Sequence, residues 1–358
     1  MQDLKGPGNG ALLFCLWISR IRGHNVDMDP NIADARESAW SRYWSGGALH
    51  SCADSYGGNY AGAIGAFWAD CFAGLVPGHR VLDLATGNGP LPLLLWERAP
   101  AGKQVCVDAV DLARVAPRWH DPQKHAGLHF HSGIRMERLP FAEASFDLVI
   151  SQFGIEYARW PDALHEAVRV MKPQGSAAFV VHHSDSVLCR VARSEQANQE
   201  FLLAGQGLLS AASEVIPWIS LARRGALDAM NGATASACRQ RYNLAMQEAT
   251  ERIEASQVPD LLVEARAWIH GLLSGAHGTD DPVQQASMLA DYRDTLHAAL
   301  LRTTELLAHA LDVAQVEAMG ALLRQCLPAH DVRCVTLSQA EGLLGWGVRV
   351  SPASSTAD

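Results

Sequence analysis

The sequence predicts an α/β protein in which a mostly parallel sheet is followed by a long helical segment and completed by a terminal hairpin. Three observations predict it. Short apolar runs alternate with helical stretches from residue 80 to residue 183. Residues 186–328 then turn to helical periodicity with little strand signal, and the chain ends in two strand-like runs joined by a short loop. Strands separated by helices read as a parallel sheet covered on both faces. Ligands on such sheets sit beyond the carboxyl ends of the strands.

The stretch 80–92 is the pivot. Val81, Leu82 and Leu84 read as a buried strand over 80–85, which Gly87 and Gly89 then break. A helix over 91–99 resumes, opened by Pro90 and Pro92, because proline is tolerated in a first helical turn. Strand, glycine turn and helix together bring backbone N–H groups up to a nucleotide. Asp83 stands inside that strand, and Pro92 occupies the place of the third glycine of the dinucleotide-binding pattern. A carboxylate there suits a ligand carrying a cationic amine rather than a pyrophosphate.

The other elements follow in order. Residues 34–44 form a helix, a glycine-dotted loop follows, and 64–75 form a second helix ending near Pro77-Gly78. The loop carries His50, Tyr56 and Tyr60, polar-tipped aromatics of the kind found where backbone folds over a ligand. Trp40 and Trp44, spaced i and i+4, form either one packed helix face or part of that cover. Strand two is expected at 104–111, strand three at 128–131 and strand four at 146–151. A helix over 161–171 is stopped by Lys172-Pro173-Gln174-Gly175, and strand five follows at 176–182. Leu289, Tyr292, Leu296, Leu300, Leu307 and Leu311 mark helical spacing in the later segment. Breaks near Pro217, Gly232, Pro259 and Gly275 to Pro282 divide it into five or six helices. Residues 331–337 and 346–350 read as an antiparallel hairpin.

Composition narrows the function classes. At 358 residues, with 48% hydrophobic and 19% charged residues, the chain has ample material for a core. A net charge of −9 argues against a surface built for phosphate backbones. The eight cysteines are scattered and never form C-x-x-C, which predicts reduced thiols in a cytoplasmic protein. The apolar run 11–18 is far shorter than the roughly 20 residues a membrane span needs, and it lacks signal-peptide flanks. Met28-Asp29-Pro30 reads as an alternative start, with residues 1–27 as an extension; sequencing that finds residue 1 retained and ordered counts against it.

Four motifs in order carry a resemblance to a known family. Asp83-Leu-Ala-Thr-Gly87-Asn-Gly89, Val107-Asp-Ala-Val-Asp111, the run from Leu139 through Asp147 to Gln152-Phe153, and Arg169 to Gly175 together resemble class I S-adenosylmethionine-dependent methyltransferases. The likeness is nearest to the small-molecule branch that includes the ubiquinone/menaquinone methyltransferases, and it covers residues 78–183 and the terminal hairpin. It implies a Rossmann-like seven-stranded sheet with one antiparallel strand, and S-adenosylmethionine as cofactor. It further implies a bacterial small-molecule methyltransferase. The expected domains are an N-terminal extension and aromatic cap (1–77), a cofactor-binding core (78–185), a helical insertion (186–328) and a hairpin completing the sheet (329–358).

The resemblance assigns roles residue by residue. Gly87 and Gly89 bring N–H groups to the cofactor, with Ala85 beside them and Asn88 along its carboxypropyl part. Asp83 holds the methionine ammonium directly or through water, a charge-assisted contact. Asp111, followed by Leu112, accepts the ribose hydroxyls, with Asp108 as its rival. Gln152 and Phe153 border the sulfonium. Relatives place an aspartate at the adenine end, where this chain has Arg135; the backbone of Arg135 and Met136, or Glu137, takes that place. The acceptor is expected to meet Trp44, His50, Tyr56 and Tyr60, and to be apolar or aromatic. The expected reaction is an in-line displacement at a sulfonium methyl, aligned mainly by the protein. A base is needed only if the acceptor carries a proton. Glu156 and Tyr157 after strand four and His182-His183 after strand five are the candidates, with His183 first because a histidine titrates near neutral pH, and Tyr157 beside it.

Rival readings are narrower. Ser151-Gln152-Phe153-Gly154 stands where nucleic-acid methyltransferases carry D/N-P-P-Y, and no basic stripe accompanies the aromatics, so no nucleic-acid partner is expected. His120, His125, His129 and His131 lack zinc-ligand spacing, and no metal is expected. The helical insertion is a lid, a homodimer interface or both. The alternative is a non-catalytic protein of the same fold that acts through that insertion.

Overall fold

The computed structural model describes residues 30–51 and 58–353, with side chains from residue 34 onward. The expectations for Tyr56 and for the Met28 start lie outside the described residues. Helices α1 (Pro30–Ser45) and α2 (Gly62–Phe72) precede strand β1 (Arg80–Leu84), helix α3 (Pro90–Arg98) and strands β2 (Cys106–Asp111), β3 (Leu128–Ser132) and β4 (Phe146–Gln152). Helix α4 (Trp160–Val170) leads into β5 (Met171–His182). Six helices follow: α5 (Val187–Leu203), α6 (Leu208–Arg223), α7 (Gly232–Ala255), α8 (Asp260–Ser274), α9 (Pro282–His309) and α10 (Val313–Cys326). Strands β6 (His330–Gln339) and β7 (Gly342–Pro352) close the chain.

The seven strands form one sheet in the order β3-β2-β1-β4-β5-β7-β6. β1 pairs in parallel with β2 and β4, β2 with β3, and β4 with β5. Only two residues separate β6 from β7, so these neighbours run antiparallel. The Rossmann-like mixed sheet expected from the motifs is therefore present. β1 is central, and Asp83 pairs across it with Ala109 on one side and Ile150 on the other. That register buries a carboxylate in the middle of a sheet, where an apolar side chain is the rule.

Two expectations about element boundaries fail for physical reasons. β5 begins at Met171, not Ser176. Phe146 pairs with Met171 and Leu148 with Ser176, so Lys172 to Gly175 form a bulge rather than a helix stop. The Lys172 ammonium anchors the bulge on both oxygens of Asp147, at 2.8 Å. Nor does Pro217 break a helix; it lies inside α6. A proline there removes the bond to the Ser213 carbonyl. Ser213 and Pro217 are exposed, so water can take that carbonyl, while buried Val215 and Ile216 hold the turn in place.

The described residues divide into two compact units, each with its own core. The first runs to Val181 and includes Ala308–Val335 and the chain from Trp346; the second is His182–Leu307 with Thr336–Gly345. In the first, Leu82, Phe146, Val149, Phe179 and Val348 of the sheet pack with Leu164 of α4 and Met319 and Leu323 of α10. Thus α10, which sequence periodicity joins to the helical segment, contributes its apolar stripe to the sheet core. In the second, Leu202, Leu209, Ile216, Ala249, Ile269 and Leu296 from α5 through α9 form a purely helical core. Val187–Arg223 contains an 18-residue window of mean hydropathy 1.2. It is two helices separated at Ala204–Gly207, and both contribute to this core.

Candidate functional site

A pocket opens at the carboxyl ends of β1, β2 and β4. Its walls come from Arg36, Glu37, Trp40 and Trp44 of α1, from His50, Ser51 and Tyr60, and from Ala85, Thr86 and Pro90 after β1. Asp111, Leu112 and Ala113 follow β2, Ile134 to Glu137 follow β3, and Gln152, Phe153, Gly154, Tyr157 and Ala158 follow β4. About 890 Å³ of empty space lies within it, open mouth included. These positions are where a parallel sheet presents its ligand crevice.

Two buried carboxyls define its inner end. Asp111 accepts hydrogen bonds from Gly87 N at 2.7 Å and Ala113 N at 2.8 Å, one on each oxygen. Burial pushes its carboxyl up to about 6, against the pull of the N–H groups of Gly87, Ala113 and Leu112. Each oxygen keeps a lone pair for a ligand hydroxyl. Asp83 is only 1% exposed, and its Oδ2 has no hydrogen-bond partner among the described residues. Burial pushes it up to about 8, the Thr86 side chain opposes this, and the Asp111 charge adds to it. Asp83 is not itself in the pocket wall, but Thr86 and Asp111 are. Two interacting buried acids, one of them unpartnered, favour a cationic ligand group. Asp108 is committed elsewhere: it pairs with Arg80 at 2.8 Å and with His131 at 3.0 Å.

The glycine turn differs in detail from expectation. A Cβ on Gly87, at φ +54°, would stand 2.5 Å from the Trp44 ring, and one on Gly89, at φ +71°, 2.7 Å from Phe130. The missing side chains therefore make room for aromatic rings, and Trp44 is fixed against the turn. Asn88 makes contacts that its motif does not announce. Its amide donates to the carbonyls of Trp44 at 2.8 Å and Ala48 at 2.7 Å, so the side chain holds the aromatic cover in place and is not in the pocket wall.

The end of β4 is clamped. Gln152 Oε1 accepts from Trp68 Nε1 at 2.6 Å, and Gln152 Nε2 is left without a partner among the described residues. The amide donor is thus oriented and unspent beside the pocket. Phe153 follows at φ +52°, and Ala85 after β1 stands at φ +55°. Non-glycine residues in the left-handed region carry strain and cluster at ligand sites. A Cβ on Gly154 would meet the Ala85 Cβ at 2.5 Å, which is why glycine follows Phe153. Ala85→Gly should raise the thermal midpoint of the unliganded protein slightly. Relieving the left-handed alanine gains about 1–2 kcal/mol, less the roughly 0.5–1 kcal/mol of extra glycine chain entropy. A fall in the midpoint by differential scanning fluorimetry would show that the turn is not strained.

The aromatic cover comes from α1 and its following loop. Trp40 and Trp44 stack with centroids 5.7 Å apart, and Tyr157 meets Trp40 edge-on at 6.0 Å. His50 stacks on Tyr60 at 4.9 Å and contacts the Gly58 carbonyl at 2.8 Å, and burial lowers its pKa. Arg36 donates to the Tyr157 carbonyl at 3.1 Å and meets His309 Nε2 at 3.3 Å. Burial, together with the Arg36 charge, drives His309 down to about 3, so it stays neutral. Arg36, Glu37 and His309 escape notice in the sequence. The available signal was a helix face that carries two charges beside two tryptophans.

Of the two foremost candidate bases, Tyr157 is in the pocket wall. His183 belongs to the second unit; its Nδ1 accepts from Asp185 N at 3.0 Å in the turn before α5, and it is not among the lining residues. Arg135 and Met136 both reach the wall, as does Glu137, whose carboxylate accepts from Arg159 N at 3.1 Å. No cluster of metal ligands occurs among the described residues.

Residues 81–175 match a family model described as a methyltransferase domain. The chain is 36% identical over 121 residues to a ubiquinone/menaquinone biosynthesis C-methyltransferase of Dinoroseobacter shibae, covering 32% of this chain and 48% of that protein. It is 38% identical over 98 residues to a demethylmenaquinone methyltransferase of Deinococcus radiodurans, covering 27% and 40%. The chain thus spans about half the length, or less, of the curated relatives it matches. Among solved structures, geranyl diphosphate C-methyltransferase from Streptomyces coelicolor aligns with a TM-score of 0.33 at 16% identity, covering 41% of this chain and 65% of that one. By the family-model match, residues 81–175 form a methyltransferase domain.

Proposed function

We propose that this protein transfers a methyl group from S-adenosylmethionine to a small apolar or aromatic metabolite, in the cytoplasm. The observation that supports it most is the pair of buried carboxyls, Asp83 and Asp111, at the strand ends of a methyltransferase domain. An ammonium satisfies the unpartnered Asp83 oxygen, directly or through water, and ribose hydroxyls satisfy the remaining lone pairs of Asp111. When bound, the cofactor would supply an electrophilic sulfonium methyl. The protein's part is alignment and exclusion of water. Gln152 Nε2 offers an oriented donor beside the reaction centre. Trp40, Trp44, Tyr60 and Tyr157 form an aromatic wall whose faces suit a flat or apolar acceptor. The curated relatives are named for quinone-pathway methylation, and a quinone-related acceptor fits such a wall. Tyr157 is the residue placed to accept an acceptor proton, should the acceptor carry one.

Equilibrium dialysis with radiolabelled S-adenosylmethionine tests the reading. Saturable binding of one molecule per chain supports it; no binding sinks it and favours the non-catalytic alternative.

The carboxyls also predict a pH signature. Both are raised above the ordinary value of 3.8, so in the unliganded fold the protonated forms are favoured. Their stabilising contribution is full below about pH 4 and is lost as pH rises through about 6 and about 8. The thermal midpoint of the unliganded protein should therefore fall across that window. A cofactor ammonium favours ionised Asp83, so binding near pH 7 should release a proton. Calorimetry in buffers of differing ionisation enthalpy reads that release; a buffer-independent enthalpy would contradict it.

A further inference from the structure

The second unit holds a cleft of its own, between α6, α7 and α8, which the proposed reaction does not use. Val215, Trp218, Ile219 and Leu273 wall it, around about 1220 Å³ of empty space with the mouth included. Gly232, Ser236, Arg239 and Asn243 of α7 line it at helical spacing, with Tyr242 beside them, so one stripe of that helix faces the cleft.

The lining is one-signed. Arg223, Arg239 and His270 belong to it, and no Asp or Glu does. That is notable in a chain of net charge −9. Arg223 is spent on Asp280 and on the Leu273 carbonyl. The side chain of Arg239 is exposed and makes no hydrogen bond or ion pair among the described residues. Tyr242, one helical turn further on, has a buried hydroxyl without a hydrogen-bond partner among the described residues, and burial pushes it up to about 12. A buried phenol that stays protonated and unpaired is a donor waiting for an acceptor.

We propose that this cleft binds a small amphipathic anion: a carboxylate on an apolar chain or ring. Its carboxylate lies at Arg239 and Tyr242, and its apolar part against Trp218 and Ile219. The free arginine supplies charge, the orphan phenol supplies a directed hydrogen bond, and the four apolar walls supply burial. None of this rests on the methyltransferase reading.

The full chain, titrated with dodecanoate below its micelle concentration and followed by calorimetry and tryptophan fluorescence, tests the proposal. The expected result is saturable binding at one site per chain. Arg239→Ala should weaken it at least tenfold, Tyr242→Phe severalfold, and Ser236→Trp, which fills the cleft, should abolish it. Uncharged dodecan-1-ol should bind at least tenfold more weakly than dodecanoate. Arg239 and Ser236 are exposed, so those variants should fold. Absence of saturable binding overturns the proposal. So does binding that ignores Arg239→Ala and Ser236→Trp, which would place the probe elsewhere on the chain.

Discussion

Replacing Asp83 by asparagine should weaken binding of S-adenosylhomocysteine by one to two orders of magnitude. The side chain keeps its size and its place in the central strand, so the fold should survive. What disappears is a charge-assisted interaction with the ligand ammonium, worth about 1.5–3 kcal/mol, and each 1.4 kcal/mol is a factor of about ten in affinity. The same variant should abolish the proton release that accompanies binding, because the carboxyl held up to about 8 is the group that gives up the proton. It should also flatten the upper part of the pH dependence of unliganded stability. Calorimetric titrations of both proteins near pH 7 check all of this. Equal affinity and equal proton release would mean that Asp83 is a structural oddity of the sheet with no ligand role.

The largest expected loss of stability is at Trp68. It is fully buried in α2, stacks on Phe72 with centroids 5.7 Å apart and packs edge-on against Phe67 at 5.2 Å. Trp68→Ala should cost about 3–5 kcal/mol, as for other buried tryptophans cut back to alanine. It would also leave Gln152 Oε1 buried and unpaired, adding about 1–3 kcal/mol. Chemical denaturation should show a large fall in midpoint. Trp68→Phe separates the two effects: packing is largely kept, while the 2.6 Å bond that orients Gln152 is lost. That variant should fold and bind the cofactor less tightly, since the Gln152 amide is free to turn. Unchanged binding would remove Gln152 from the site.

Much of this was legible before the structure. The strand–turn–helix at 80–98, the acids at 83 and 111 and the succession of strands along the chain all leave local marks, because period, glycine turns and an acid inside an apolar run are properties of short segments. The bulge at Lys172 to Gly175 was not, since Pro-Gln-Gly signals a turn equally well inside a strand. Nor was the left-handed conformation of Ala85 and Phe153. Neither residue type announces a positive φ. The Trp68–Gln152 clamp and the Arg36–His309 contact join residues 84 and 273 positions apart. Such pairs are set by tertiary packing, and a single sequence carries no trace of them. Asn88 shows the converse. Its place in a motif suggests a cofactor contact; its amide nitrogen serves two carbonyls of the aromatic cover, while its oxygen has no partner among the described residues.

A crystal structure of the full chain with S-adenosylhomocysteine tests the central claim most directly. The account predicts the ligand in the pocket at the ends of β1, β2 and β4, its ammonium held by Asp83 directly or through one water, its ribose hydroxyls on Asp111 and its sulfur near Gln152. A ligand bound elsewhere, or one that leaves Asp83 and Asp111 without a contact, would contradict it.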